Sequence, residues 1–287
     1  MGTIWRMAAV VAVGVLAQLP AAHFSAAGAQ PVSGEQVAAI LASADRTAAD
    51  RTNDLRRKPQ DLVTFYGIQP GITAVDLFAG GGYTTELVAR AVGPTGKVYG
   101  QSRPPVANAP RPAQPEGNSN PLIVTPTPAA PPVFRPSPEA LAARAERMRA
   151  AGVAFAPITP LVRPFEDPFP AELAKAKVDM VTLIFNYRDL CHMGADRAAM
   201  NRAVFKALKS GGTYIIADHS GRPGTGITEA GTLHRIEEAF LRAEVEAAGF
   251  RLVAAGNFLR NPNDPRDKNT PDPPMPKDEF VLKFAKP

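Results

Sequence analysis

The chain has 287 residues, of which 45% are apolar and 21% are charged. These proportions are ordinary for a globular protein and exclude collagen, a coiled coil and a wholly disordered chain. The net charge of +5 comes without a run of lysines and arginines, so it does not indicate a nucleic-acid partner. A single cysteine, Cys191, excludes an internal disulfide framework and any multi-cysteine metal site.

The first residues of the chain are typical of an export signal. Arg6 precedes an apolar run over residues 7–19, and the small residues at 27–29 resemble a cleavage site. As a helix the run is about 20 Å long, which is short of the roughly 30 Å apolar core of a bilayer. We predict a signal peptide over residues 1–29, cleaved near Ala29, and an exported, periplasmic chain without a stable membrane anchor. A retained anchor is the alternative.

Residues 30–59 are predicted to form an N-terminal helical segment. Ser33 and Gln36 have the spacing of a capping box, and the helix continues through a charged stretch that ends at Pro59. The charged side chains of this stretch form either a solvated helix face or a set of arginines that binds an anionic substrate. They are Asp50, Arg51, Asp54, Arg56 and Arg57.

From residue 60 onward, strands and helices alternate. A strand at 72–78, a glycine loop, a helix at 84–92 and a strand at 97–100 form a βαβ unit, which predicts a parallel sheet. Further strands are predicted at residues 153–155, 178–185, 213–217, 251–254 and 280–284, and further helices at 138–151, 200–208 and 233–247. The predicted fold is one Rossmann-like, doubly wound α/β domain over residues 60–287, with seven mostly parallel strands.

A proline-rich insertion follows the second predicted strand. Residues 103–138 contain twelve prolines and four charged residues, a composition that suits neither a helix nor a central strand. We predict a surface insertion with extended, polyproline-like backbone. It is either a lid over the site or solvated padding.

The carboxyl ends of the predicted strands are where a ligand is expected to bind. In an open parallel sheet the site lies at this edge, near the point where the strand order reverses. The residues that follow the strands are more polar than the strands themselves: 79–83, Gln101, 186–189, Asp218 and His219. The glycines at 80–82 let a backbone approach a ligand, and the next helix offers free amides at its N-terminus.

The segment from Val75 to Thr84 resembles motif I of the class I S-adenosylmethionine-dependent methyltransferases. Later segments match the family in order, over roughly residues 60–285: 96–100, 179–185, 208–218 and 249–250. More narrowly, the chain is similar to a set of exported bacterial predicted methyltransferases. The residues that carry this narrower likeness are 80–83, Asn186-Tyr187-Arg188-Asp189, Asp218-His219 and Leu233-His234-Arg235.

The resemblance implies S-adenosylmethionine as cofactor and a small molecule, not a nucleic acid, as methyl acceptor. The cofactor-binding residues that it implies are Asp76, Ala79, Gly80, Gly81, Gly82, Tyr83, Gln101 and Asn186.

Methyl transfer depends mainly on positioning, with help from a general base when the acceptor must lose a proton. His219 directly follows the fifth strand, and we expect it to face the crevice at this edge. His234 is expected to open a helix that returns over the same place, with Asp218 as the orienting acid. Alternatively, His219 binds only a loop carbonyl and His234 only packs. The histidines lack a tight ligand spacing, so no metal site is predicted.

A second function stays open, that of an exported, non-catalytic ligand-binding protein on a methyltransferase scaffold. Phe78 stands where the family motif has its first glycine, and Gln101 stands where the family has an acid for the ribose hydroxyls. An amide binds a hydroxyl without the strength that the charge of a carboxylate adds. These two residues favour the binding protein, whereas the intact glycines at 80–82 favour the enzyme.

Overall fold

The structure is a computed structural model that describes residues 1–2, 30–105, 136–269, 271 and 275–287. The predicted signal peptide and most of the predicted insertion lie outside these residues. Within the described ranges, no helix has both the length and the apolar character needed to cross a bilayer.

Seven strands of the described chain form one sheet, as predicted. They are Thr73–Asp76 (β1), Lys97–Ser102 (β2), Ile158–Val162 (β3), Val178–Ile184 (β4), Leu208–His219 (β5), Arg251–Gly256 (β6) and Glu279–Ala285 (β7). Their order across the sheet is β3-β2-β1-β4-β5-β7-β6. Strand β7 is antiparallel to both of its neighbours, and the other pairs are parallel. The predicted Rossmann-like, mostly parallel α/β fold is confirmed.

Helices cover both faces of this sheet. Those of the described residues are Gly34–Ala42 (α1), Ala48–Arg57 (α2), Pro59–Tyr66 (α3), Tyr83–Val92 (α4), Ser137–Ala150 (α5), Tyr187–His192 (α6), Arg197–Ala207 (α7) and Glu238–Ala247 (α8). Successive strand residues point to opposite faces. Ala74 therefore packs with Val37 of α1 on one side, whereas Val75 belongs to the core cluster of Val204 and Leu241 on the other.

The third strand lies later in the chain than predicted. The predicted strand at residues 153–155 is wrong, because the edge strand β3 runs from Ile158 to Val162. Its residues are half-buried or exposed, and Pro160 lies within it. Proline is tolerated there because the outer side of an edge strand needs no ladder hydrogen bonds. The apolar run that marks a central strand is therefore missing.

The N-terminal segment contains two helices where one was predicted, and a third helix begins at its last residue. Thr47 caps α2 and forms a second capping box with Asp50, so the chain breaks after α1 and starts again. Lys58 then takes a left-handed conformation (φ 43°), and Pro59 opens α3. A proline at the first position of a helix is favourable, because its missing amide would have no partner there.

The long helix predicted over residues 233–247 is shorter than expected. Helix α8 begins only at Glu238, and the preceding residues form a loop that pairs Ile236 with Ser220 in an isolated bridge. His234 lies in this loop with a left-handed backbone (φ 51°). The expectation that His234 opens a helix is therefore wrong.

Helix α1 is expected to contribute to the stability of the whole domain, because Val37 is fully buried against the sheet. Val37→Ala should lower the free energy of unfolding by about 1–3 kcal/mol through the lost burial and the cavity left behind. Leu55→Ala is the matched control, since Leu55 is 67% exposed and should change stability by less than about 0.5 kcal/mol. Urea denaturation measures both, and equal effects would show that α1 does not share the core.

Candidate functional site

The chain bends sharply after β1. Phe78, Gly80 and Gly82 all have left-handed backbone, with φ of 56°, 52° and 77°. The Gly82 amide donates to the Ala79 carbonyl at 2.8 Å, and Gly82 is then the N-cap of α4. A Cβ built on Gly81 would meet no described atom within 4 Å. The bend therefore presents bare backbone at a helix N-terminus, where free amides attract a negatively charged group.

Helix α5 covers one side of this bend. A Cβ on Gly82 or Gly100 would approach Leu141 to 2.7 Å or 2.6 Å, so both positions must lack a side chain. The Nε of Arg144 donates to the Gly81 carbonyl at 2.5 Å. The helix that follows the insertion thus packs directly on the bend and on β2.

Buried charges hold α5 in this place. Arg144 pairs with Asp50 of α2 at 2.8 Å and with Glu86 of α4 at 2.6 Å, and Arg147 also pairs with Glu86. Burial alone would raise the pKa of Asp50, but the hydrogen bonds and charge of Arg144 keep it below its usual value. Three helices are therefore tied together by two buried carboxylates.

Asp76, one of the predicted cofactor-binding residues, lies beneath the bend. Its carboxylate accepts hydrogen bonds from the hydroxyls of Thr85 (2.6 Å) and Thr182 (2.8 Å), and the residue is 2% exposed. Burial raises the pKa of Asp76 to about 6, although the two hydroxyls oppose the shift. These contacts join β1 to β4 and to α4 and so support the bend.

Gln101, at the end of β2, is fully buried. Its Oε1 accepts from the amide of Phe78 at 3.1 Å, and its Nε2 donates to the carbonyl of Arg163 at 2.7 Å. The amide oxygen can accept a second hydrogen bond and the nitrogen can donate a second, but the side chain is closed to solvent, so a ribose hydroxyl could reach it only if neighbouring groups moved. Binding of a ribose by Gln101 stays a prediction.

A cavity of about 240 Å³ opens at the carboxyl ends of β2 and β3. Pro104 and Pro105 line it from the segment after β2, Phe165 from the segment after β3, and Met193 from the end of α6. Phe78 packs against Phe165, with ring centroids 4.9 Å apart. Ligand cavities commonly measure about 300–1,000 Å³, so this one offers room for part of a ligand.

Asp218, predicted as an orienting acid, forms a fully buried ion pair with Arg188. One carboxylate oxygen lies 2.5 Å from the Arg188 guanidinium, and the other accepts the Arg188 amide at 2.9 Å. Burial raises the pKa of Asp218, and the charge of Arg188 opposes that shift. The pair fixes the start of α6 to the end of β5.

His219 belongs to a group of side chains that we call the Phe185 cluster, formed by Arg56, Arg57, Phe185, His219 and Glu279. The Nδ1 of His219 lies 2.9 Å from a Glu279 oxygen, and the same oxygen accepts from Arg56 at 3.0 Å. His219 stacks on Phe185 with a centroid distance of 5.5 Å. Burial alone would raise the pKa of Glu279, but the charge of Arg56 and the contact with His219 keep it low.

Arg57 connects this cluster to the glycine bend. Its guanidinium carbon lies 5.2 Å from the ring centroid of Tyr83 and 5.0 Å from that of Phe185. Tyr83, the residue after the bend, donates its hydroxyl to Asp54 of α2 at 2.6 Å. The bend after β1 and the cluster at the ends of β4 and β5 are thus parts of one site.

The other predicted residues lie toward α6. Asn186 is half-buried and is the N-cap residue of α6. The Nδ1 of His234 lies 3.6 Å from a carboxylate oxygen of Asp189, and its ring is 6.0 Å from that of the exposed His192. No group of metal-ligating side chains was found within the residues that the structure describes. The roles of Asn186 and His234 stay predictions.

Two members of the Phe185 cluster, Phe185 and Glu279, were not among the predicted site residues. Phe185 ends an apolar run and is indistinguishable from a core residue in the sequence. Glu279 carried a usable signal, because it is a carboxylate at the first position of an otherwise largely apolar strand. An antiparallel strand begins at the edge where its parallel neighbours end.

Comparisons with known proteins identify the fold. No protein-family model matches this chain, and no curated protein matches its sequence. A chain of the Haloferax volcanii complex between the Trm112 methyltransferase activator and a methyltransferase matches with a TM-score of 0.50 and 17% identity, over 88% of this chain and 96% of that one. The [4+2]-cyclase SpnF matches with a TM-score of 0.51 and 14% identity, over 90% and 97%.

A SAM-dependent methyltransferase from Aquifex aeolicus is also similar, with a TM-score of 0.49 and 15% identity, over 84% of this chain and 100% of that one. At such low identities, the matches to the Haloferax chain and to SpnF show a shared fold. They do not decide the reaction, because a fold carries many activities.

The glycine bend gives a matched pair of substitutions. Gly82→Ala places a Cβ on left-handed backbone and against Leu141, so we expect a loss of about 2–3 kcal/mol in the free energy of unfolding. Gly81→Ala meets open space and should change it by less than about 0.5 kcal/mol. Urea denaturation measures both values, and a similar loss in the two variants would rule out this packing.

Asp76 gives a prediction about pH. Its pKa is about 6 in the folded protein against 3.8 ordinarily, so the folded state holds the proton more tightly than the unfolded chain. This group therefore lowers stability as the pH rises from about 4 to about 7, by up to about 3 kcal/mol. Asp76→Asn has no titrating group at this position. The free energy of unfolding of this variant minus that of the wild type should therefore increase by that amount over the same pH interval. Urea denaturation at both pH values measures this difference, and a constant difference would contradict the buried, shifted carboxylate.

Proposed function

We propose that this protein is an S-adenosylmethionine-dependent methyltransferase that acts on a small molecule. The observation that carries the proposal is the glycine bend between β1 and α4. It presents open backbone at Gly81 and lies beside β4, where the strand order reverses. Ligands of doubly wound sheets bind at this place. The resemblance of the segment from Val75 to Thr84 to motif I points to the same cofactor.

The residues present fit such a cofactor. Gly80 and Gly81 would let its amino-acid part approach the backbone, and free amides at the start of α4 would attract its carboxylate. The cavity beside Phe165 would receive part of the cofactor's adenine ring, through contact with the flat faces of that ring. S-adenosylmethionine supplies an electrophilic sulfonium methyl group when it is bound.

His219 is our candidate for the general base. With Nδ1 directed at Glu279, its ring is oriented, and a proton from the acceptor would be taken up at Nε2. The Glu279 carboxylate would stabilise the imidazolium that forms. Asp218 supports this arrangement through the backbone, because its carboxylate accepts the His219 amide at 2.8 Å. His219 is fully buried, so an acceptor would reach its ring only when the groups that cover it move.

The second candidate function is a ligand-binding protein without catalysis. The engaged amide of Gln101 favours it, because both polar groups of this side chain already have partners in the protein.

We also propose that the mature chain starts near residue 30 and is exported. The basis is the sequence of residues 1–29. The folded domain begins soon afterwards, because the amide of Val32 donates to the carbonyl of Ile68 at 2.8 Å. Removal of residues 1–29 would therefore leave the described contacts intact.

Calorimetry with S-adenosylhomocysteine tests the proposed cofactor. We expect the wild type to bind it with a micromolar Kd, and Gly81→Val to bind at least tenfold more weakly, because the added side chain fills the space above the bend. The variant should melt within about 2 °C of the wild type, since Gly81 has no close neighbours among the described residues. Absence of binding to the wild type would end the proposal. Binding without transfer of a labelled methyl group to any small molecule would favour the second candidate.

A further inference from the structure

Helix α2 presents two different charged faces. Arg51 and Leu55 are exposed, whereas Arg56 is buried and Arg57 is half-buried against the rings of Tyr83 and Phe185. The charged stretch is therefore not simply a solvated helix face. Two neighbouring arginines are directed into the candidate site.

The positive charges of the Phe185 cluster exceed its negative charges. In the part of the chain that the structure describes, Glu279 is the one carboxylate that pairs with Arg56, whose side chain is 6% exposed. The Nε and Nη2 of Arg56 and the Nε of Arg57 are buried and have no hydrogen-bond partner. Within the described ranges, no carboxylate forms an ion pair with Arg57. Among the described residues Arg57 thus has no directly paired anion, although the charges of Glu279 and Asp76 act on it from farther away.

Contacts with aromatic rings hold this guanidinium without neutralising it. A cation over a ring face gains roughly 0.5–2 kcal/mol, but the hydrogen-bonding capacity of its nitrogens is left unused. Burial and the neighbouring charge of Arg56 lower the pKa of Arg57 to about 10, so the group remains charged at neutral pH. Partial burial of a cation without an ion-pair partner is unfavourable, and an anionic ligand would reduce that penalty.

The pair lies mainly on the Phe185 side of the site, although Arg57 also contacts Tyr83 beside the glycine bend. Arg56 and Arg57 both lie on Phe185, after β4, and Arg56 binds Glu279 at the start of β7. The glycine bend lies on the other side of the strand reversal. A cofactor with a sulfonium group adds a further positive charge near this place. An acceptor with a negative charge would compensate both the sulfonium and Arg57.

We infer that the methyl acceptor carries an anionic group, a carboxylate or a phosphate, and that Arg57 binds this group with Arg56 beside it. The inference rests on the proposed function and adds the chemical class of the acceptor. The planar guanidinium binds either oxyanion through two parallel hydrogen bonds. The acceptor's reacting atom would then lie near Phe185 and His219, with its anionic end held toward α2.

Calorimetric titration of inorganic phosphate and of succinate, with and without saturating S-adenosylhomocysteine, tests the anion site. We expect millimolar binding of at least one of them to the wild type and at least tenfold weaker binding to Arg57→Gln. The matched control is Arg51→Gln, which removes the same charge from the exposed face of the same helix and should bind as the wild type does. Arg57→Lys keeps the charge but not the planar guanidinium, so its affinity for the anion should lie between those of the wild type and Arg57→Gln. It takes the place of Arg57→Gln in the comparison if that variant does not fold. Equal anion binding by the wild type and the Arg57 variant would overturn the inference, as would no anion binding to the wild type.

A second pair of ligands separates the acceptor from the cofactor. S-adenosylhomocysteine carries an amino-acid carboxylate, and methylthioadenosine lacks it. We expect Arg57→Gln to bind both as the wild type does, within about twofold. A tenfold loss for S-adenosylhomocysteine alone would assign Arg57 to the cofactor and overturn the inference. The anion titrations without S-adenosylhomocysteine test the anion site independently of the cofactor. Failure of the proposed function would be seen separately, as absence of binding to S-adenosylhomocysteine and methylthioadenosine.

Discussion

The pairing of β1 with β4 is the constraint on which the site depends. The two strands lie side by side in parallel, with Asp76 opposite Thr182. The Thr182 hydroxyl donates to the Asp76 carboxylate, and the Leu77 amide donates to the Thr182 carbonyl at 2.8 Å. Because the strands are joined up to their ends, the glycine bend after β1 and Phe185 after β4 lie next to each other. The crevice between them is a product of this pairing.

Much of the sheet could be predicted from the sequence, because its central strands carry local signals. Strand β4 is a nearly continuous apolar run, as burial on both faces requires, and glycines mark the bend that follows β1. The signals fail at the edge of the sheet, where β3 contains Pro160 and its residues are half-buried or exposed. They also fail before α8, where apolar residues with helical spacing form a loop around Ile236. There, tertiary contacts override the local pattern.

The site could be predicted only in part, for a different physical reason. The glycine bend is local, and its position at the end of a strand is enough to predict it. The contact between Arg56 and Glu279 joins residues 223 positions apart, so no local pattern reveals it. The hydrogen bonds of Gln101 with Phe78 and Arg163 are equally a property of three distant segments. Which polar side chains remain open to a ligand is decided by such pairings, and the sequence lists only the residue types.

The reversed direction of β7 has a consequence for how the protein is made. Because this strand is antiparallel to β5, its first residue, Glu279, lies opposite His219, and the strand fills the gap between β5 and β6. A nascent chain on the ribosome has Arg56 and His219 long before it has the carboxylate that they share. Strands β5 and β6 also lack the strand that joins them until β7 has been made. Assembly of this part of the molecule must therefore wait until β7 emerges and inserts between strands already made.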